Sequence, residues 1–350
     1  MTDPVTLERL ERDLVVQGLD LSNASFAGRS FAGRIFEGCD FRGASLAGAS
    51  FEEALLSHCN LDGADLSNAN LQHAQAHESS FRGVRFDGAQ AMVAQINGCD
   101  FAQASFRGAN LELTSFMRSR VAGAAYAGAR LERTNFVESD TTALDLRDCT
   151  LSKSIFWKAM LADGRFDRAV FDKCVFLDSN LAGVDLSGRK LEIVTFMGTD
   201  LTGAAFNGAT LTQCNFSRAT MAGAELDDVD GVNTLFIGAT VTDATFKRAK
   251  LLQAIFKDAN VARSDFSRAD LRQTVFHHAQ CQGAVFESVD LTEADLSHAD
   301  VSMANFTDAN LFRTRLHCIT EERALFGPSR AAALGTDEQL AKAERFEPGY

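Results

Sequence analysis

Asp20-Leu21-Ser22-Asn23-Ala24-Ser25-Phe26-Ala27-Gly28-Arg29-Ser30-Phe31 is the stretch on which the reading of this chain turns. A large apolar residue returns every five positions, at Leu21, Phe26 and Phe31, each directly after Asp or Ser. Working outward, the period continues to Leu316 with no insertion. Of the 60 positions ending in 1 or 6 from Leu21 to Leu316, 55 hold Leu, Phe, Val, Ile, Met or Tyr, the others being Ala76, Ala91, Thr141, Gly231 and Cys281. The chain has 28 Phe against 2 Tyr and 1 Trp, and 25 of those Phe are repeat centres, so one packing environment recurs many times. Small residues such as Ala24, Ala64 and Ala304 lie two positions before a centre, and 20 of the 26 Gly lie two positions after one.

A period of five fits neither a 3.6-residue helix nor an alternating strand; it requires a short extended piece followed by a turn. The centre and the small residue before it point inward, and the other three positions face outward or form the corner. Ala64-Asp65-Leu66-Ser67-Asn68 and Ala309-Asn310-Leu311-Phe312-Arg313 closely resemble the A-(D/N)-L-x-x unit of the pentapeptide-repeat family, and the resemblance covers about 300 of the 350 residues. It implies an all-β solenoid, a right-handed quadrilateral β-helix with four pentads per coil. Twenty residues per coil stack in columns about 4.8 Å apart, giving about 15 coils and about 70 Å of length. One face then carries Phe116, Phe136, Phe156, Phe176, Phe196, Phe216, Phe236, Phe256 and Phe276 on successive rungs. Gly after the centre is concentrated on the first two faces, which predicts positive φ mainly at the first two corners.

The expected organisation is an N-terminal capping helix over 1–18, the repeat over 19–318 and a helical cap and tail over 319–350. Leu7, Leu10 and Leu14 predict an amphipathic helix over Pro4 to Val16, and short helices are expected over Thr320 to Leu325 and Asp337 to Phe346. Pro occurs only at 4, 328 and 348, which disfavours a mosaic of linked domains. With 46% apolar and 23% charged residues the chain is not a disordered one, and no apolar run approaches the 18 or so residues of a membrane span. Charges at Asp3, Glu8, Arg9, Glu11, Arg12 and Asp13 leave no room for a secretory signal, so a soluble, cytoplasmic protein is expected.

No nucleophile elbow, phosphate loop or familiar zinc-ligand spacing is present, and the expected class is a non-enzyme without a cofactor. Cys39, Cys59, Cys99, Cys149, Cys174 and Cys214 occupy the small inward position and Cys281 a centre, where a thiol stands in for a small apolar residue. His278, His298 and Cys318 stack in one outward corner column, with His277 and His317 beside it, and that trio is the candidate metal set. Arg29, Arg34 and Arg189 occupy inward positions against the family pattern.

Part of the family protects DNA gyrase by presenting an acidic rod that resembles duplex DNA, and the net charge of −13 makes a gyrase- or topoisomerase-binding mimic the alternative function. From 20 to 318 the chain has 37 acidic and 28 basic residues, a net −9, where B-DNA of that length carries about 40 charges. Arg165, Arg168, Lys247, Arg248 and Arg268 interrupt the acidic surface. The face built on the Phe column stands out instead. Ile155, Val175, Leu235 and Ile255 precede its centres and Met117, Val137, Trp157, Leu177, Met197 and Ile237 follow them, where other pentads place Asp, Asn, Ser, Thr or Ala. Ile35, Leu55 and Val275 extend the set, and the corner residues Leu113 and Ile193 flank it. Such a stripe predicts a protein-binding or self-associating scaffold, its partner another protein or a second copy, with no nucleic acid and no membrane. The resemblance also permits a role beside bacterial secretion machinery.

Overall fold

The computed structural model describes residues 8–10 and 12–346 and divides the chain into two compact units, Met1–Asn180 and Leu181–Tyr350. In each unit the five-residue period becomes a four-sided parallel coil whose pairings step by twenty residues, until the last one, Arg315 with Leu334, steps by nineteen. The wall is made by two kinds of backbone bond. The N–H of a centre donates to the coil ahead, as Leu21 does to Asp40 O at 2.7 Å, and the residue before a centre donates to the coil behind, as Asp40 N–H does to Leu19 O at 2.9 Å. A turn bond such as Ala44 N–H to Phe41 O, 3.0 Å, closes most corners.

The first unit carries a parallel nine-stranded sheet on the side of the Phe column. Its strands are β1 (Val15–Gln17), β2 (Ile35–Glu37), β3 (Leu55–Ser57), β4 (Gln75–His77), β5 (Gln95–Asn97), β6 (Ser115–Met117), β8 (Asn135–Val137), β10 (Ile155–Trp157) and β12 (Val175–Leu177). A second sheet of β7 (Arg130–Glu132), β9 (Thr150–Ser152) and β11 (Val170–Asp172) stands on the adjacent side. Phe116, Phe136, Phe156 and Phe176 stack with ring centroids 5.0 to 5.1 Å apart. Burying each ring contributes roughly 1.5 to 3 kcal/mol against the entropy of ordering the chain. Where centres shrink to Ala76 and Ala91, an apolar cavity of about 40 Å³ opens among Leu56, Leu71, Ile96 and Phe101.

In the second unit Phe216, Phe236, Phe256 and Phe276 repeat the ladder at 4.5 to 5.2 Å. It ends in β13 (Asn305–Phe306), β14 (Leu325–Phe326), a 3₁₀ turn at Pro328–Ala332 and helix α1 (Glu338–Glu344). Asp337 caps α1, its carboxylate accepting the N–H groups of Gln339 and Leu340 at 2.9 and 3.1 Å.

Three expectations are corrected. The helix expected over Pro4 to Val16 does not reach Val15, which begins β1 and pairs with Ile35; residues 8–10 and 12 are helical, Asp13 and Leu14 are not, and residues 4–7 and 11 lie outside the described residues. Thr320 to Leu325 is not a helix. Thr320 pairs with Asp300, and Phe326 stacks on Phe306 at 4.8 Å, so the coil continues past 318. Pairing the sheet edge and covering the ring of Phe306, which is fully buried, outweigh local helix propensity there. Positive φ is also not confined to two corners: among the described residues it recurs on all four sides, at 40 non-glycine residues as well as 21 glycines. Closing a square of short strands puts the corner residue in the left-handed region whatever its type, Asp163 being the exception among the described corners. Glycine is needed for a different reason at Gly164, where a Cβ would come 2.8 Å from the Phe166 ring.

Candidate protein-binding face

Five corners of the nine-stranded sheet close through side chains, a device found elsewhere at Ala244, whose N–H donates to Ser264 Oγ at 3.3 Å. After β3, β4, β5, β6 and β10 the inward N–H is capped by a side chain one coil ahead. Cys59 N–H donates to Ser79 Oγ, Ser79 N–H to Cys99 Sγ, Cys99 N–H to Ser119 Oγ, Ser119 N–H to Ser139 Oγ and Ala159 N–H to Ser179 Oγ, at 3.0 to 3.5 Å. The hydroxyls and thiols donate in turn: Ser79 to Leu56 O at 3.2 Å and Cys59 to Phe36 O at 3.5 Å. Cys39 and Cys59 are therefore free thiols that act as hydrogen-bonding groups, not only as small apolar ones. Burial pushes the Cys99 thiol up to about 11 and those of Cys149 and Cys174 up to about 12. The run Cys59, Ser79, Cys99, Ser119, Ser139 is the sequence signal for this corner, and its meaning was not read from the sequence.

On the outside of that sheet Met117, Val137, Trp157 and Leu177 stand in strict register on β6, β8, β10 and β12. Met117 is 40% and Trp157 36% exposed, Val137 and Leu177 are half-buried, and Ile155 pairs with Val175 one column away. Lys158 reaches back over the Trp157 ring, Nζ 4.8 Å from its centroid, and pairs with Glu138 Oε1 at 2.8 Å. In the second unit Leu235, Ile255 and Val275 form a bridged column, with Met197 and Ile237 half-buried. The corner residues Leu113 and Ile193 are 38% and 46% exposed.

Three of the basic residues noted in the sequence, and Arg263 with them, pair with carboxylates of the neighbouring coil. Arg168 pairs with Asp148, Arg248 with Asp228 and Arg263 with Asp243, each at 2.6 Å, and Lys247 with Asp265 at 3.2 Å. The Arg248 guanidinium holds the Asp228 carboxyl below the usual carboxylate range. Such surface pairs contribute little stability, but they alternate charge where a nucleic-acid mimic needs it uniform. Arg34 is accommodated by carrying its guanidinium to Asp13 O at 2.5 Å.

The candidate metal trio is corrected as well. His278 stacks flat on His298 with centroids 4.8 Å apart, and Cys318 Sγ turns toward His317 Nε2 at 3.4 Å. Among the described residues, the group whose ligand atoms lie within 4.8 Å of one another is His298, His317 and Glu344. Glu344 Oε2 lies 3.1 Å from His317 Nε2 and 3.3 Å from His298 Nε2. The backbone N–H of Asp337 donates to His317 Nδ1 at 3.1 Å, which places the His317 proton on Nε2, pointing at Glu344. An imidazole that binds a metal through one nitrogen donates the N–H of the other, whereas His317 Nδ1 accepts and Nε2–H donates to Glu344, so this arrangement is a hydrogen-bonded latch on α1. The hydrogen bond from His317 holds the Glu344 carboxyl below the usual range, with His298 adding to it. Glu344 lies outside the repeat register, and no spacing in the sequence pointed to it.

No helix among the described residues is long and apolar enough to cross a membrane. The chain matches the family model described as pentapeptide repeat region over residues 29–106, and that of pentapeptide repeats over 94–125, 195–230, 214–253, 254–292 and 290–319. Similar solved structures include HetL, a pentapeptide repeat protein involved in heterocyst differentiation regulation from the cyanobacterium Nostoc sp. strain PCC 7120. It is 18% identical, with 90% of this chain and 96% of that one covered and a TM-score of 0.28. QnrB1, a plasmid-mediated fluoroquinolone resistance protein, is 17% identical over 65% of this chain and 83% of its own, with a TM-score of 0.27. Rfr23 from the cyanobacterium Cyanothece 51142 is 18% identical over 47% and 98%, with a TM-score of 0.21. No curated protein matches the chain.

Proposed function

The chain belongs to the pentapeptide-repeat family, and from that premise we propose that it is a non-enzymatic protein-binding scaffold whose interface is the Trp157 face. The observation that carries this reading is the register of Met117, Val137, Trp157 and Leu177 on four adjacent strands of one sheet. Strand propensity accounts for Val and Ile on a pleated surface, but not for Met, Trp and Leu in one column. Trp is the side chain that most often dominates the centre of an interface, and here it stands between apolar neighbours with a charged rim. The column-wise pairing of Arg168, Arg248 and Arg263 with aspartates favours this reading over a DNA mimic that engages gyrase.

Trp157 is the sole tryptophan, so a chain labelled with 5-fluorotryptophan gives one fluorine resonance that reports on this face. That resonance is expected to shift and broaden in extract of the host cell, and Trp157→Glu is expected to keep the thermal midpoint while abolishing association. A resonance unchanged in extract, or binding to DNA gyrase that Trp157→Glu leaves intact, overturns the reading.

A further inference from the structure

Beside the apolar column runs a column of four exposed corner residues, Arg118, Glu138, Lys158 and Asp178, whose charges alternate rung by rung. They are held in the same register as the stripe. The Arg118 N–H donates to Val137 O, the Glu138 N–H to Trp157 O and the Lys158 N–H to Leu177 O, at 2.9 to 3.0 Å. We propose that the occupant of the Trp157 face is a second copy of this chain, turned end over end about a two-fold axis that lies along the strands midway between Val137 and Trp157.

That operation keeps each residue at its position along the strand and reverses the order of the rungs. Met117 then meets Leu177 of the second copy and Val137 meets Trp157, so all four apolar side chains cover one another. In the charged column Arg118 meets Asp178 and Glu138 meets Lys158. Every opposed pair there is of opposite sign, and the Glu138–Lys158 contact already present within one chain closes into a ring of four alternating charges around the axis. An arbitrary column of four charges does not have this symmetry; two acidic and two basic residues in blocks of the other palindromic order would oppose like charges. On the far edge the same operation brings Arg133 toward Lys153 of the second copy; these two exposed corner residues stand beside Glu132 and Asp172 of the adjacent sheet, and Lys173 Nζ lies 4.0 Å from Asp172 Oδ1.

This inference rests on the proposed binding face and adds the identity and orientation of its partner. The test is a mixing experiment with full-length chains carrying Lys158→Glu or Glu138→Lys, followed by sedimentation velocity. Each variant alone opposes like charges across the axis and breaks its own internal pair, and should associate at least about tenfold more weakly than the wild type. An equimolar mixture restores opposite charges across the axis while the internal pairs stay broken, and should dimerise within a few-fold of wild type. Both positions are exposed, so unchanged thermal midpoints establish that the variants fold. A mixture no better than either variant alone, or a Lys158→Glu chain that dimerises more tightly, overturns the proposal. A wild-type chain that stays monomeric when concentrated overturns it too: if the fluorine resonance of Trp157 still shifts in extract, the binding face stands with a different partner, and if it does not, both fail.

Discussion

The backbone N–H of Cys59 donates to the hydroxyl of Ser79, one coil ahead, at 3.0 Å, and that hydroxyl donates to the carbonyls of Leu56 and His77. Ser79→Ala leaves a buried N–H and a carbonyl without partners, so a loss of about 1 to 3 kcal/mol is expected in chemical denaturation. Ser79→Cys keeps a donor and an acceptor, as Cys99 does for Ser79 itself at 3.5 Å, and should cost clearly less. Equal losses from the two variants would show that the hydroxyl serves only to fill space.

Tyr126 is fully buried, stacked on Phe106 at 4.8 Å, and its hydroxyl is the one buried side-chain polar atom without a partner among the described residues. Burial pushes its phenol well above the usual value of 10. Tyr126→Phe keeps the ring and removes the unsatisfied group, and should raise stability by about 1 kcal/mol. A loss of stability would reveal a partner such as a buried water.

Ala76 stands between Leu56 and Ile96 in one column and borders the cavity of about 40 Å³. At about 24 cal/mol per Å³, filling that space is worth on the order of 1 kcal/mol. Ala76→Val should therefore raise the denaturation midpoint, and a lowered midpoint would mean that the surrounding rings cannot admit the added methyls.

Glu344 fastens α1 to the wall through His317 and His298. Its carboxyl is held below its ordinary 4.5, so its contribution to docking is complete above that value and is lost as pH falls through the lowered one. Amide exchange in residues 338–344 should quicken over that acidic range in the wild type. Glu344→Gln should show faster exchange at neutral pH and no such step; an identical profile in both would show that α1 is held by its apolar contacts alone.

The wall of this protein was legible in its sequence because a solenoid's contacts are arithmetic. Residues twenty apart meet, so Phe136 had to stack on Phe116 and Trp157 had to stand between Val137 and Leu177. The period of five alone decides which side chains point inward, and burial of a bulky residue in each pentad is a local, repeated gain that no distant segment can overturn. Only the tertiary structure decided what happens where that arithmetic stops. The corner dihedrals follow from closing a four-sided coil, so Leu113 and Ile193 take the left-handed region as glycine does. The cap depends on how an aperiodic tail folds back: Phe326 continues the Phe306 stack instead of entering a helix, and Glu344 rather than Cys318 completes the histidine cluster. Those contacts are set by which edges and charges the last coil leaves uncovered, a property of the assembled surface and not of any spacing along the chain.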